Sequence, residues 1–449
     1  MTQRFHIFLE GNNILHKSQF GYRKGLGTIG PTVILHNIAK QTLGIRKKKL
    51  YACFVDYRKA FDGVRRNILM KKLRFMGIPR LFLQLVLYIF DNTKLSVSTT
   101  DANYDQIKTN IGILQGDALS ALLFNCYLAD LAPELEKEKY GPKLQKERIA
   151  ILSYADDCVL LSESMTELKE MLRSLEEYCD TNALIINTKK TKIMIFRYGP
   201  IPREAKFEIS GEEIEIVNSF RYLGVIFTSQ LKYYEHVDRI VIKAKSKIGM
   251  IFAKTPVKEV GLDLALQLFN CYVRPIFEYC AIVWTSDFRK SYDQKINESL
   301  LLFLKKYLMI SKRTRSSLVY FMTNTRPLTE QLLENSLNQK ETINLSFDLN
   351  MDQLLITTER VRQPLEPYKA EELIPFEFKE RWEEKNIVRL PARSNYRRML
   401  AMDLIDGFHW KTCGSKEYHT QPNENCWCTI CGCSTPKLYH KCCNFDSIT

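Results

Sequence analysis

The segment Ile149 to Ser162, IAILSYADDCVLLS, places two apolar runs on either side of a Tyr-Ala-Asp-Asp tetrapeptide. Each run reads as a β-strand, and Asp favours turns, so the segment predicts a hairpin with Asp156 and Asp157 at its tip. Unpaired carboxylates are costly beside strands this apolar, so the acids need an exposed position and a use there. A second apolar run, Leu50 to Tyr57 (LYACFVDY), puts Asp56 at the end of the predicted strand Tyr51 to Val55. With that strand beside the hairpin in one sheet, three carboxylates converge at one exposed edge.

An Asp-Asp pair by itself marks no more than a turn, so its setting matters. From about residue 12 to residue 230 short β-rich runs alternate with helical stretches, the pattern of an α/β or α+β enzyme core. Asn67 to Pro79 reads as a helix that ends at its Gly-Ile-Pro, and Thr166 to Leu184 as an amphipathic helix with Thr166 as N-cap. Beyond residue 230 the chain turns helical and basic, with Lys243 and Lys247 four apart, then Lys305, Lys306, Lys312, Arg313 and Arg315. Any one of these reads as a solvated helix face. Their sum, within 65 Lys and Arg against 51 Asp and Glu and a net charge of +14, favours a polyanionic partner. No apolar run reaches the roughly eighteen residues a spanning helix needs, so no membrane partner is expected. The first residues carry no secretory leader pattern, and a nuclear or cytoplasmic location is expected.

Three segments occur in order: FVDYRKAFD (Phe54 to Asp62), LQGDALSALLFNCYLADL (Leu114 to Leu131) and SYADDCVLLS (Ser153 to Ser162). They resemble motifs A, B and C of reverse transcriptases, in the form found in non-long-terminal-repeat retrotransposons of the LINE-type, jockey-like group. Phe8 to Thr28, with Gln19-Phe20-Gly21 and Arg23, resembles motif 2 of the fingers; Ile186 to Phe196 resembles motif D; Phe220 to Phe227 resembles the primer grip, motif E; and Cys271 to Trp284 resembles the thumb.

The resemblance implies an RNA-directed DNA polymerase that takes an RNA template, a DNA primer and deoxynucleoside triphosphates. It implies Asp56 and Asp156 as ligands of two Mg2+ ions, with Asp157 as accessory acid. In such chemistry paired divalent ions about 4 Å apart stabilise the attacking and leaving oxygens. The resemblance further implies nucleotide contacts from Arg23, Tyr57, Phe61, Gln115 and Gly116, with Phe61 as the aromatic gate against a 2′-hydroxyl, and Lys190 as proton donor to pyrophosphate. Two departures stand out. Relatives carry Leu-Ser-Pro where this chain has Leu119-Ser120-Ala121, and the family's further fingers sequence and upstream endonuclease have no counterpart before Met1. A fragment of a longer reading frame, or a decayed or repurposed copy that only binds nucleic acid, is therefore the alternative expectation.

The C-terminal stretch Asn423 to Cys443 contains Cys428-x-x-Cys431 and, further on, His440, Cys442 and Cys443. Such spacing suits a tetrahedral Zn2+ site, and thiols this dense in a reducing compartment are more often metal-bound than paired. The stretch resembles the C-terminal Cys-Cys-His-Cys knuckle of jockey-like elements, which implies Cys428, Cys431, His440 and Cys442 as ligands. Cys443 competes with Cys442 for the fourth place, and Cys413, Cys426 and Cys433 offer other sets. The expected fold class is α+β, a right-hand polymerase. It comprises truncated fingers and palm over 1–230, an α-helical thumb over 231–325, a Pro-containing charged linker over 326–412 (Pro364, Pro367, Pro375, Pro391), and a zinc-binding segment over 413–449.

Overall fold

In the computed structural model, which describes residues 1–95, 107–257, 259–285, 290–340, 343 and 345–349, the run before Asp56 is strand β1 (Leu50–Val55), buried over its whole length. The segment around the paired acids is the hairpin β2 (Ile151–Tyr154) and β3 (Asp157–Ser162). With β4 (Lys192–Phe196) and β5 (Ile216–Val217) these form one five-stranded sheet in the order β5-β4-β1-β3-β2. All neighbours are antiparallel except β5 and β4. β1 is thus a central strand, which explains why both of its faces are apolar.

The two faces of β1 have different neighbours because side chains alternate. Tyr51, Cys53 and Val55 enter the main core. That core is supplied by α1 (Thr2–Gly11), α3 (Arg66–Phe75), α4 (Arg80–Asn92), α5 (Ala118–Tyr127), α6 (Leu131–Lys137) and α7 (Met165–Thr181), while α2 (Ile29–Lys40) stays outside it. On the opposite face Phe54 stacks on Phe220, centroids 4.2 Å apart, and lies 5.5 Å from Tyr222. Both partners belong to β6 (Ser219–Tyr222), which pairs with β7 (Val225–Thr228) in a separate hairpin.

Local chemistry sets the helix ends. α3 stops at Gly77, whose φ of +74° suits the left-handed position after a helix. Gly77 N donates to Arg74 O and Ile78 N to Leu73 O, closing the last turn. The start of α7 corrects the expectation for Thr166: the N-cap is Ser164, whose hydroxyl accepts from Glu167 N at 3.1 Å. Ser164 with Glu167 has the Ser-x-x-Glu spacing of a capping pair. Glu167 spends its carboxylate elsewhere, accepting from Ser162 Oγ and from Gly141 N.

The described residues divide into two compact units, the first running to Tyr233 and including 343 and 345–349, the second running from Tyr234 to Lys340. The second unit is helical: α8 (Tyr234–Lys254), α9 (Leu262–Tyr272), α10 (Arg274–Glu278), α11 (Ala281–Trp284), α12 (Lys290–Leu308), α13 (Ser316–Thr323) and α14 (Leu328–Lys340). Its core holds the fully buried Phe269, Phe277, Trp284 and Phe303. In α8, Val237, Ile240, Val241, Ala244, Ile248 and Ile251 form the buried stripe, as 3.6-residue periodicity requires. The stretch expected as linker begins with α14, which is held into this unit by buried Leu332 and Leu333 and by Thr329 N donating to Asn297 Oδ1 at 3.1 Å. Two of the basic residues also serve this unit's own fold. Lys305 Nζ donates to the carbonyls of Lys312 and Thr314, and Lys306 lies 4.6 Å over the Phe252 ring. No described helix is long and apolar enough to cross a membrane. Residues 350–449, and with them Cys428, Cys431, His440 and Cys442, lie outside the described residues.

Candidate active site

The β2–β3 hairpin closes through a two-residue turn, Ala155-Asp156, with Tyr154 and Asp157 as its last pair. Ala155 has φ +57°, a conformation that a side-chain-bearing residue adopts only when its surroundings hold it there. β1 pairs Phe54 with Val159 and Val55 with Cys158. One further step along that register sets Asp56 opposite Asp157, and Asp156 lies next to both in the turn. The expected convergence of three acids at one end of the sheet is therefore present.

The backbone of Asp56 is fixed from the β4 side. Its carbonyl accepts from Asn187 N at 2.7 Å, and its N–H donates to Thr191 Oγ1 at 3.2 Å. Its Oδ2 is buried with no hydrogen-bond partner. The neighbouring cation is Lys190, largely exposed at 71%, whose Nζ stands 3.9 Å away, too far for a hydrogen bond. Burial, then the nearby charge of Asp56, holds the Asp156 carboxyl above its ordinary range. Burial, then Asp156 and Asp56, pushes Asp157 up to about 6. Three mutually repelling acids, with one Asp56 oxygen that accepts no hydrogen bond, face the Lys190 ammonium alone among the ion pairs of the described residues, so the site is short of positive charge. Among the described residues no three side chains of ligating type are close enough to enclose a metal unaided.

The raised Asp157 has a consequence for stability. Its folded pKa lies above the unfolded value, so the stability it contributes is complete below about pH 4 and is lost as pH rises through about 6. Without divalent metal, Asp157→Asn should therefore melt above the wild type at pH 8, by roughly 2 °C, corresponding to about 1 kcal/mol after allowance for solvent screening, because the residue is exposed overall although its carboxyl is partly desolvated. The gap should shrink toward pH 5 and vanish near pH 4. Melting curves at the three pH values check this, and a gap independent of pH would contradict it.

The end of the segment carrying Asp56 meets the start of the segment carrying Gln115. Ile113 N donates to Phe61 O at 3.0 Å and Gly112 N to Val64 O at 2.8 Å. Gly112 has φ +81°, and a Cβ there would lie 2.8 Å from Asp62 O, so only glycine allows this approach. Phe61 is half-buried, its ring stacked on Phe124 at 4.6 Å. Gln115 and Gly116 are exposed just before α5; Gly116 has φ +86°, with open space where a side chain would be. Residues 1–227 match the family described as "Reverse transcriptase (RNA-dependent DNA polymerase)". The chain belongs to the reverse transcriptase family.

Membership implies dependence on divalent metal in general, in keeping with the charge deficit at the three acids. The chain is 28% identical over 286 residues to the "RNA-directed DNA polymerase from mobile element jockey" of Drosophila funebris, covering 61% of this chain and 30% of that protein. It is 29% identical over 246 residues to the "Retrovirus-related Pol polyprotein from type-1 retrotransposable element R2" of Nasonia vitripennis, covering 51% and 23%. It thus spans less than a third of the length of these relatives. Among solved structures, telomerase from Candida tropicalis in complex with a TWJ fragment of telomeric RNA is similar at 13% identity and a TM-score of 0.42, covering 81% of this chain and 56% of that one.

Two residues expected at the nucleotide of this reverse transcriptase have their side chains engaged within the protein itself. Tyr57 continues the alternation Tyr51, Cys53, Val55 and so is buried in the main core, on the face opposite Asp56. Arg23 points inward: its Nε and Nη2 donate to the Glu10 carboxylate, both at 2.7 Å, and its Nη1 donates to His16 O and Gln19 O, both at 3.0 Å. Two residues that sequence reasoning left without a role hold the Ala155-Asp156 turn, Gln19 directly and Asn125 through Gly21. Gln19 Oε1 accepts from Ala155 N and from Gly21 N, each at 2.9 Å, and Asn125 Nδ2 donates to Gly21 O at 2.7 Å. One signal for Asn125 was available, a lone amide inside the otherwise apolar Leu122 to Cys126 run, which buried must find a partner.

Proposed function

We propose that this chain carries the active site that makes DNA on an RNA template, by attack of a primer 3′-hydroxyl on the α-phosphate of a deoxynucleoside triphosphate with release of pyrophosphate. The observation that supports this reading best is the meeting of Asp56, Asp156 and Asp157 at one sheet end, with a carboxylate oxygen among them that no hydrogen bond satisfies. Asp56 and Asp156, with Asp157 as accessory, would hold two Mg2+ ions. Bound there, the ions supply positive charge to the attacking and leaving oxygens.

The remaining work falls to the chain's own groups. Gln115 and Gly116 line the nucleotide position, where the open space at Gly116 lets backbone approach the ligand. Phe61 sets a ring beside them against a 2′-hydroxyl. Lys190 Nζ, exposed beside Asp56, holds a proton for the departing pyrophosphate. Exposed basic residues of the helical unit, among them Lys243, Lys312 and Arg313, neutralise template and primer phosphates. In the C-terminal segment the Cys428-x-x-Cys431 spacing with His440 and Cys442 supports one structural Zn2+. Elemental analysis tests this, and zinc that persists after Cys428→Ser with Cys431→Ser would overturn that ligand set. Primer extension on a primed RNA template, with Mg2+ and with EDTA, tests the polymerase reading.

A further inference from the structure

The strained point of the hairpin is Ala155, and the loop 16–23 is built around it. Phe20 N donates to Ser153 O at 2.8 Å and Ser153 N to Ser18 O at 2.9 Å, so this loop adds a short parallel pairing to the outer side of β2. Gln19 is 7% exposed. Its one carbonyl oxygen receives both the Ala155 amide and the amide of Gly21 in its own loop. Gly21 lies so close that a Cβ on it would come within 2.4 Å of Ala155 N, and its carbonyl is held by Asn125 from α5. On the far side Arg23 closes the loop, gripping the carbonyls of His16 and Gln19 while paired with Glu10 of α1. A continuous series of contacts therefore runs from Glu10 through Arg23 and Gln19 to the residue before Asp156.

We infer that Gln19 is a positioning residue for the reaction. Its side-chain oxygen holds Ala155 in the left-handed conformation that aims Asp156 and Asp157, and the Arg23–Glu10 pair keeps Gln19 in place. The role in the reaction rests on the polymerase reading above, whereas the hold on Ala155 does not. A buried N–H deprived of its acceptor opens more readily, and a small displacement of a ligand-bearing turn costs rate without touching the surfaces that bind substrate.

The test compares Gln19→Met, which keeps length but offers no acceptor, with Gln19→Glu, which restores one. Residue-resolved hydrogen exchange should show the Ala155 amide exchanging about 10-fold faster in Gln19→Met and near the wild-type rate in Gln19→Glu. Single-nucleotide addition should show kcat lower by roughly 10- to 100-fold in Gln19→Met, with nucleotide KM and primer–template Kd within about twofold, and partial recovery in Gln19→Glu. Unchanged exchange at Ala155, or an unchanged kcat in a folded Gln19→Met protein, overturns the inference. Should Gln19→Met not fold, Arg23→Gln, which unlatches the same loop from outside, is read by the same two measurements with smaller expected effects and the same overturning results. A wild type that adds no nucleotide sinks the polymerase reading and with it the role in the reaction; the exchange comparison still decides whether Gln19 holds the turn.

Discussion

Asp156→Asn should lower primer extension by at least about 1,000-fold while leaving primer–template Kd within about twofold. The amide has the size of the carboxyl, and the turn is held through the Ala155 backbone, so the hairpin should keep its shape. What disappears is one negative charge at a place where the nearby ammonium, that of Lys190, stands 3.9 Å from another acid. On the proposed reading the site then lacks a ligand for divalent metal, and nothing else described near the turn replaces it. On the proposed reading duplex binding rests on basic side chains elsewhere, so it should persist. Filter binding and extension measured on the same preparations separate the two effects. Parallel loss of both would make Asp156 a structural residue.

Phe61→Val should lower the preference for deoxy- over ribonucleotides by roughly 100-fold, read as the ratio of kcat/KM for the two. The proposed gate role needs a ring that is open on one side and near Gln115 and Gly116; Phe61 is only half-buried, and its carbonyl accepts from Ile113 N, two residues before Gln115. Its inner side is fixed by the stack on Phe124, itself fully buried in α5, so the ring cannot swing away from a 2′-hydroxyl without losing that contact. Valine shortens the wall and leaves the backbone alone. The same change should cost about 1 to 2 kcal/mol of stability through the lost stack, visible as a lower Tm. A lower Tm with unchanged sugar discrimination would assign Phe61 to the core alone.

The residues that were legible in the sequence share a physical property, local context. Two apolar runs around Asp156 and Asp157 had to be a buried hairpin with polar ends, and the run before Asp56 had to be a buried strand. What the pattern could not convey was pairing over long distances. Nothing near Ala155 announces that its amide is received by a side chain 136 residues earlier, and nothing near Arg23 announces that Glu10 claims it. Tyr57 was misplaced for a different reason. The resemblance implied a nucleotide contact from it, but the two-residue period of the strand turns it to the face opposite Asp56 and into the core. The N-cap of α7 shows the same effect on a smaller scale, where the Ser164–Glu167 spacing outweighs the helix-like pattern that begins at Thr166.

Single-nucleotide addition tests the central claim most directly. The purified chain is given a DNA primer on an RNA template, Mg2+, and each of the four deoxynucleoside triphosphates in turn. The three-carboxylate site at the end of the sheet predicts that the nucleotide complementary to the template is added, that the other three are not, and that EDTA stops the reaction. A wild-type chain that binds the primer–template but adds no nucleotide with Mg2+ or Mn2+ would contradict it.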